Sequence, residues 1–340
     1  PRCTTIGCCI STTRRPRSHL RLFRNDNLLT KKSHNQDHFD GQIRCGYVAL
    51  VGRPNVGKST LFNTFLEQRL SIVTSKAQTT RCSIRGILSR TDSQLIFLDT
   101  PGLLEPNSLL HQTMGRQIER STRDADVILL IVDALRPDNR KDLVKKFINQ
   151  TETTIICALN KIDLLPKKTR SKTVSDVAAE LGVCNLRTVS AISGENVNEL
   201  LIELESTLPL GPRLYPEDVI TEQPERFFAG EIVREAAFEK LGDELPYAIA
   251  VEVEQFVDPG EDTSLVNGTK KTYVSAVLYV ERESQKGMVI GNKGSMLKQI
   301  GQHARSNIET LLDREVYLDL WVKVRPSWRN RERDLKEFGY

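Results

Sequence analysis

The sequence predicts an α/β chain of two unlike domains: a doubly wound, mostly parallel sheet carrying a phosphate loop, followed by a smaller α+β unit. Three observations predict it. From residue 45 onward, short apolar runs alternate with amphipathic stretches. The pattern G-x-x-x-x-G-K-[ST] occupies Gly52 to Thr60, with the apolar run Tyr47-Val48-Ala49-Leu50-Val51 ahead of it and Leu61-Phe62-Asn63 behind. Beyond the Pro-containing stretch 209–225 the order changes to helix, strand, strand, helix, helix, strand.

In chain order, strands are expected at residues 47–51, 83–88, 94–98, 127–132, 154–159 and 186–189, with amphipathic helices between them, such as 111–122 and 197–208. The second unit should open with an amphipathic helix at 226–241. A strand at 247–256, a polar loop at 258–271 with turn pairs Pro259-Gly260 and Asn267-Gly268, and a strand at 273–280 come next. The expected domains are a leader at 1–44, the P-loop domain at 45–211, a stiff linker at 212–225 and the second domain with its tail at 226–340.

Ligands of a doubly wound sheet gather at the carboxyl ends of its strands. After the first strand, Gly52 and Gly57 let the backbone turn so that successive N–H groups of the loop, from Asn55 and Val56 to Thr60, point at phosphate oxygens. Lys58 would reach the β- and γ-phosphates, and the Ser59 hydroxyl would take a place on Mg²⁺. After the third strand comes Asp99-Thr100-Pro101-Gly102: the carboxylate is placed to hold Mg²⁺ through water, and the Gly102 N–H to sense a γ-phosphate. After the fifth comes Asn160-Lys161-Ile162-Asp163. Asp163 would accept from guanine N1–H and its 2-amino group, donors that adenine does not offer there, so a buried acceptor would reject adenine. Asn160 would brace the loop, Lys161 would lie along the base, and Ser190-Ala191 would present a backbone N–H to guanine O6. The nucleotide pair is therefore expected to be GTP and GDP, with Mg²⁺. Between the first helix and second strand, Gln78-Thr79-Thr80-Arg81 offers a threonine that completes the Mg²⁺ shell only with γ-phosphate present, and periodicity does not separate Thr79 from Thr80.

In the second unit, Ile290-Gly291-Asn292-Lys293-Gly294 forms a G-x-x-G between two short helices, the loop by which KH modules clamp the backbone of about four nucleotides. The helix and strand order is that of a type II KH fold. Val289, Ile290 and Leu297 could line a groove for unstacked bases, and Lys293 supplies local charge. The tail 325–340, with Trp328, Arg329, Arg331 and Arg333, reads equally as a stacking extension of that contact or as a solvated face.

Composition sets the limits. At 340 residues and 39% hydrophobic content the chain holds about two cores, and its longest apolar run of interest, 127–132, is strand-sized rather than membrane-spanning. Seven scattered cysteines, with no C-x-x-C pair, argue against a disulfide framework or a zinc site. Six arginines precede the first acidic residue, Asp26, among Ser and Thr, which is the composition of an organellar transit peptide, here without an initiator Met. A basic arm for RNA or a membrane surface is the competing reading. Without residues 1–44 the net charge is about −2, so an RNA surface must be a local patch.

The chain resembles the Era family of GTPases from about Gly46 to Tyr340. GRPNVGKST, QTTR, DTPG and NKID carry the resemblance with ELPY, ERESQKGMVIGNKG, LWVKV and the closing EFGY, and SQKGMVIGNKGSMLKQIG with VKVRPSW is most similar to cyanobacterial and plastid members. The resemblance implies a Ras-like GTPase domain, a type II KH domain, binding of the 3′ end of small-subunit ribosomal RNA, and assistance to 30S-type subunit assembly. The plastid is favoured over the mitochondrion. Alignment with related GTPases puts Thr80, which precedes Arg81, in the metal shell, giving Lys58, Thr80 and Gly102 as the groups on the reacting phosphate and Ser59, Thr80 and Asp99 as the metal set. Where Ras-like proteins place a water-orienting Gln after D-x-x-G, this chain has Leu103, so slow intrinsic turnover is expected. Asn55 stands where some potassium-dependent relatives place a K⁺ ligand. A monomer is expected, without a DNA partner, with peripheral membrane contact left open. A GTP-sensing, RNA-binding or membrane-associated adaptor without catalysis is the alternative function.

Overall fold

A computed structural model describes residues 42–340 except Ser75, Ala77, 136–140, Asp243 and 259–270. The two expected turn pairs and all but the last three residues of the expected leader lie outside the described residues.

The first domain runs β1 (Ile43–Gly52), α1 (Lys58–Leu66), β2 (Ile84–Ser89), β3 (Ser93–Asp99), α2 (Leu109–Arg123), β4 (Val127–Asp133), α3 (Lys141–Gln150), β5 (Thr154–Asn160), α4 (Lys167–Leu181), β6 (Leu186–Thr188) and α5 (Val197–Thr207). The sheet order is β2-β3-β1-β4-β5-β6, parallel except for β2, which pairs antiparallel with β3. Every residue of β3 and β4 is buried, as befits central strands covered on both faces. One apolar layer joins the sheet to α1 and α5 through Leu61, Phe62, Leu200 and Leu204. A second joins it to α3 and α4 through Val144, Val177 and Leu181. The chain winds one way from β1 and then reverses to β4, which opens a crevice at the carboxyl end of β1.

Residues 210–223 are docked rather than free-standing. β7 (Leu210–Gly211) pairs antiparallel with the start of β1. The following stretch is fastened to β2: Ile87 N–H donates to Ile220 O at 2.7 Å, Thr221 Oγ1 to Arg85 O at 2.7 Å, and Arg85 pairs with Glu222. The prolines therefore shape a tether held along the sheet edge.

The second domain follows α6 (Glu225–Lys240), β8 (Ala250–Val257), β9 (Thr272–Val280), α7 (Glu283–Ile290), α8 (Ser295–Leu312), β10 (Val316–Val324) and α9 (Glu332–Glu337). β10 pairs parallel and β8 antiparallel with the central β9. α6 and α8 cover the face presenting Val274, Ala276 and Leu278. β8 begins later than the apolar pattern suggests, because Leu245–Ala248, with Pro246 in its first turn, forms a 3₁₀ turn first. α8 is a helix of 18 residues, not a short one.

Candidate nucleotide and RNA sites

Backbone geometry explains the residue types of the phosphate loop. Gly52 ends β1 at φ +156°, and a Cβ there would stand 2.3 Å from Ile131 O. Gly57 sits in the left-handed region at φ +97°, where a Cβ would meet the Asn160 side chain at 2.2 Å. No side chain caps α1, so its first-turn N–H groups are aimed as an anion cradle. Lys58, 6% exposed, donates to Gly52 O at 3.1 Å and Arg53 O at 2.9 Å. Its burial lowers the ammonium pKa to about 8, with Asp99 pulling the other way. The cavity over this loop measures about 460 Å³ and is walled by Thr60, Thr80, Gly102, Asp133 and Lys161 among others. Gly102 packs against Pro54, too close for any side chain.

The expected metal set comes together. Ser59 Oγ lies 3.0 Å from Thr80 Oγ1 and donates to Asp99 Oδ2 at 2.8 Å, while Thr80 Oγ1 reaches the same oxygen at 3.5 Å. Thr80 rather than Thr79 faces the site, for Thr79 turns its carbonyl to Arg234 at 2.5 Å. Asp99 is fully buried, which raises its pKa, and its Oδ1 has no hydrogen-bond partner. An orphaned carboxylate oxygen beside two hydroxyls is the hard oxygen donor set that Mg²⁺ takes, so the residues fit the ion.

At the base end, Asn160 braces as expected: its Nδ2 donates to Val56 O at 2.9 Å and its Oδ1 accepts from Ala191 N at 3.0 Å. That second bond engages the donor expected for guanine O6. The Ala191 N–H is already given to Asn160, and the Ser190 N–H to Glu195 O at 3.0 Å, so a base O6 would have to share the Ala191 donor. Asp163 lies in the 3₁₀ turn Ile162–Leu164 and is exposed, not buried. Lys161, in the left-handed region at φ +68°, spans Asn55 O and Asp133 Oδ2, both at 2.7 Å. Asp133 escaped sequence reasoning, although its place at the carboxyl end of the fourth strand was a signal.

In the second domain the G-x-x-G loop follows α7. Gly291, at φ +71°, abuts Met296 so closely that a Cβ would stand 2.7 Å from Met296 Cβ. Gly294 is left-handed, as is Lys293 at φ +49°. Asn292 and Lys293 are exposed, whereas Ile290 is half-buried. Val289 cannot line a groove, because it is wholly buried in the domain core, and Leu297 packs against the same core.

The tail overturns the stacking reading. Trp328 is fully buried, donates Nε1–H to Ala248 O at 2.9 Å, and packs with Leu335, Phe338 and Tyr340 against Leu110 and Met114 of α2. Arg325 is paired with Asp334 and Glu337, and Arg329 with Glu281. The tail thus bolts the second domain to the first.

The segment from Arg69 to Arg81 makes further domain contacts. Glu235 of α6 accepts from Arg69 at 2.8 Å and from Val73 N at 3.1 Å, and the Lys76 ammonium donates to Phe238 O at 2.6 Å. Arg81 is buried among Phe238, Trp328 and Tyr340, 5.5 to 5.8 Å from each ring centroid, and donates to Ile249 O at 2.5 Å and Tyr247 O at 3.0 Å. A group on Asp99 and a group held by the second domain therefore come from consecutive residues, Thr80 and Arg81.

Comparison with known proteins agrees with both halves. Residues 47–161 match the family model described as 50S ribosome-binding GTPase, and residues 244–329 match the KH domain model. The chain is 41% identical over 298 residues to GTPase Era of Carboxydothermus hydrogenoformans, covering 87% of this chain and 98% of that protein. It is likewise 41% identical over 300 residues to GTPase Era of Geotalea uraniireducens, covering 88% and 98%. Among solved structures, a variant of Aquifex aeolicus Era bound to GDP·AlF₄⁻ superposes with a TM-score of 0.81 at 38% identity, over 88% of this chain and 99% of that one. Era in complex with MgGDPNP and nucleotides 1506–1542 of 16S ribosomal RNA gives 0.82 at 38% identity, over the same shares.

Proposed function

The chain belongs to the Era family of GTPases and hydrolyses GTP, and we propose that it does so as a switch on single-stranded RNA at the 3′ end of small-subunit ribosomal RNA. The observation that carries the proposal is the adjacency of Thr80, which faces Asp99, and Arg81, which is seated in the second domain. A related Era holds MgGDPNP and a 16S ribosomal RNA segment together, which supports the same pairing here.

In this reading the N–H groups at the start of α1 and the Lys58 ammonium bind the β- and γ-phosphates, and Gly102 N–H meets the γ-phosphate. Ser59, Thr80 and Asp99 would hold Mg²⁺, which supplies neutralisation of phosphate charge. Asp163 accepts the two guanine donors, and the base covers it from solvent on binding. No glutamine follows Gly102, so intrinsic turnover is slow. A K⁺ ion at Asn55 is part of the proposal, and equal hydrolysis rates in K⁺ and Na⁺ would remove it.

The G-x-x-G loop clamps the RNA backbone, with Asn292 and Lys293 facing the phosphates. The protein works as a monomer on a 30S-type subunit in an organelle, the plastid by preference. The arginine-rich leader supports that location, and fusion of residues 1–44 to a fluorescent protein tests it. Among the described residues no helix is long and apolar enough to cross a membrane.

Single-turnover GTP hydrolysis, measured with and without an RNA carrying the small-subunit 3′ end, tests the proposal. Slow basal cleavage accelerated by that RNA is expected. A rate indifferent to the RNA, together with no crosslinks to it in vivo, would contradict the proposal.

A further inference from the structure

Ser71 belongs to none of the nucleotide-binding motifs, yet it is 2% exposed and donates its hydroxyl to Asp99 Oδ2 at 2.7 Å. That carboxylate oxygen receives Ser59 and Thr80 as well. The three hydroxyls differ in what else they are needed for. Ser59 and Thr80 are themselves ligands in the metal site, so their hydroxyls must turn to an ion when one is held. Ser71 has no such second task, and its position is fixed from below. Asn63 of α1 accepts from Leu70 N at 3.0 Å and Ser71 N at 2.9 Å through Oδ1, and donates Nδ2–H to Ser71 O at 2.9 Å. Glu235 ties down the residues two positions either side. A small hydroxyl held by its backbone in this way orients a carboxylate without being displaced by what that carboxylate binds.

We propose that Ser71 is a positioning residue of the nucleotide site, holding Asp99 Oδ2 so that the unpartnered Oδ1 is left for the Mg²⁺ shell. The inference rests on the reading that Ser59, Thr80 and Asp99 hold Mg²⁺.

The test is the release rate of a fluorescent GDP analogue from the full chain, measured in Mg²⁺ and in EDTA, with the ratio of the two rates as readout. Wild type should release GDP much more slowly in Mg²⁺, and Ser59→Ala should abolish most of that ratio. Ser71→Ala should lower the ratio about tenfold with the EDTA rate unchanged, because a hydrogen bond to a buried carboxylate is lost while the phosphate loop is intact. Ser71→Thr, which keeps the hydroxyl, should stay within about threefold of wild type. A ratio in Ser71→Ala equal to wild type, or a change by the same factor in Mg²⁺ and EDTA, would overturn the inference. If wild type itself releases GDP equally fast in both, the metal reading fails and takes the inference with it.

Discussion

Burial keeps the Lys58 ammonium near 8 rather than its ordinary 10.5, so this residue imposes a pH dependence of definite sign. A bound phosphate favours the protonated form. GDP affinity should be full below pH 8 and weaken by up to tenfold per pH unit above it, which calorimetric titrations at pH 7, 8 and 9 would read. A flat profile would contradict the burial argument. The unfolded chain holds this proton up to 10.5 and the folded chain only to about 8. In the absence of nucleotide the Lys58 contribution therefore makes stability rise between those two pH values, and Lys58→Met should lose that slope. At the other end of the cleft, Asp163→Asn exchanges a double acceptor for an amide that mismatches guanine but suits xanthine. GTP affinity should fall and XTP affinity rise, and unchanged GTP binding would remove Asp163 from the site.

The G-x-x-G loop is an element whose replacement should leave the fold alone. Asn292 and Lys293 are exposed, and the left-handed backbone of Lys293 suits aspartate better than most residues. Changing the pair to Asp-Asp should weaken RNA binding and flatten its salt dependence, by about 0.7 in the logarithmic slope for each lost phosphate contact. GTP affinity should stay at wild type. RNA binding unaffected at moderate salt would remove this loop from the RNA site. Elements of this kind were legible because their signals are local: the P-loop, the G-x-x-G and the strands of the first sheet are each written in fewer than a dozen residues. The tail was not legible. Trp328 is buried against Ala248 and Leu110, partners distant in sequence, and no spacing around it separates a stacking platform from a core residue. Ser71 and Asp133 were missed for the same reason, since their partners Asp99 and Lys161 are set by how loops meet across strand ends. The prolines of residues 212–224 spoke for stiffness, but not for the strand edge they are fastened to. Trp328→Ala should cost about 3–5 kcal/mol of stability in denaturant titration, and a loss near zero would contradict the burial described for it.

For the whole molecule, the central claim is that the two domains exchange information through the segment from Arg69 to Arg81. Its side chains face both ways: Ser71 and Thr80 go to Asp99, whereas Arg69, Lys76 and Arg81 go to the second domain. On that claim, a γ-phosphate that reorders Thr80 also loads or releases the contacts of Arg81. Arg81→Ala removes the cation from its aromatic cage and the donors from the carbonyls of Tyr247 and Ile249, while leaving the Asp99 cluster in place. The most direct measurement is the affinity of a small-subunit 3′-end RNA for the full chain loaded with GDPNP and with GDP, for wild type and Arg81→Ala. A preference of about tenfold or more for GDPNP in wild type, and nearly equal affinities in the variant, are the predicted result. Equal affinities in the two nucleotide states of wild type would contradict the claim.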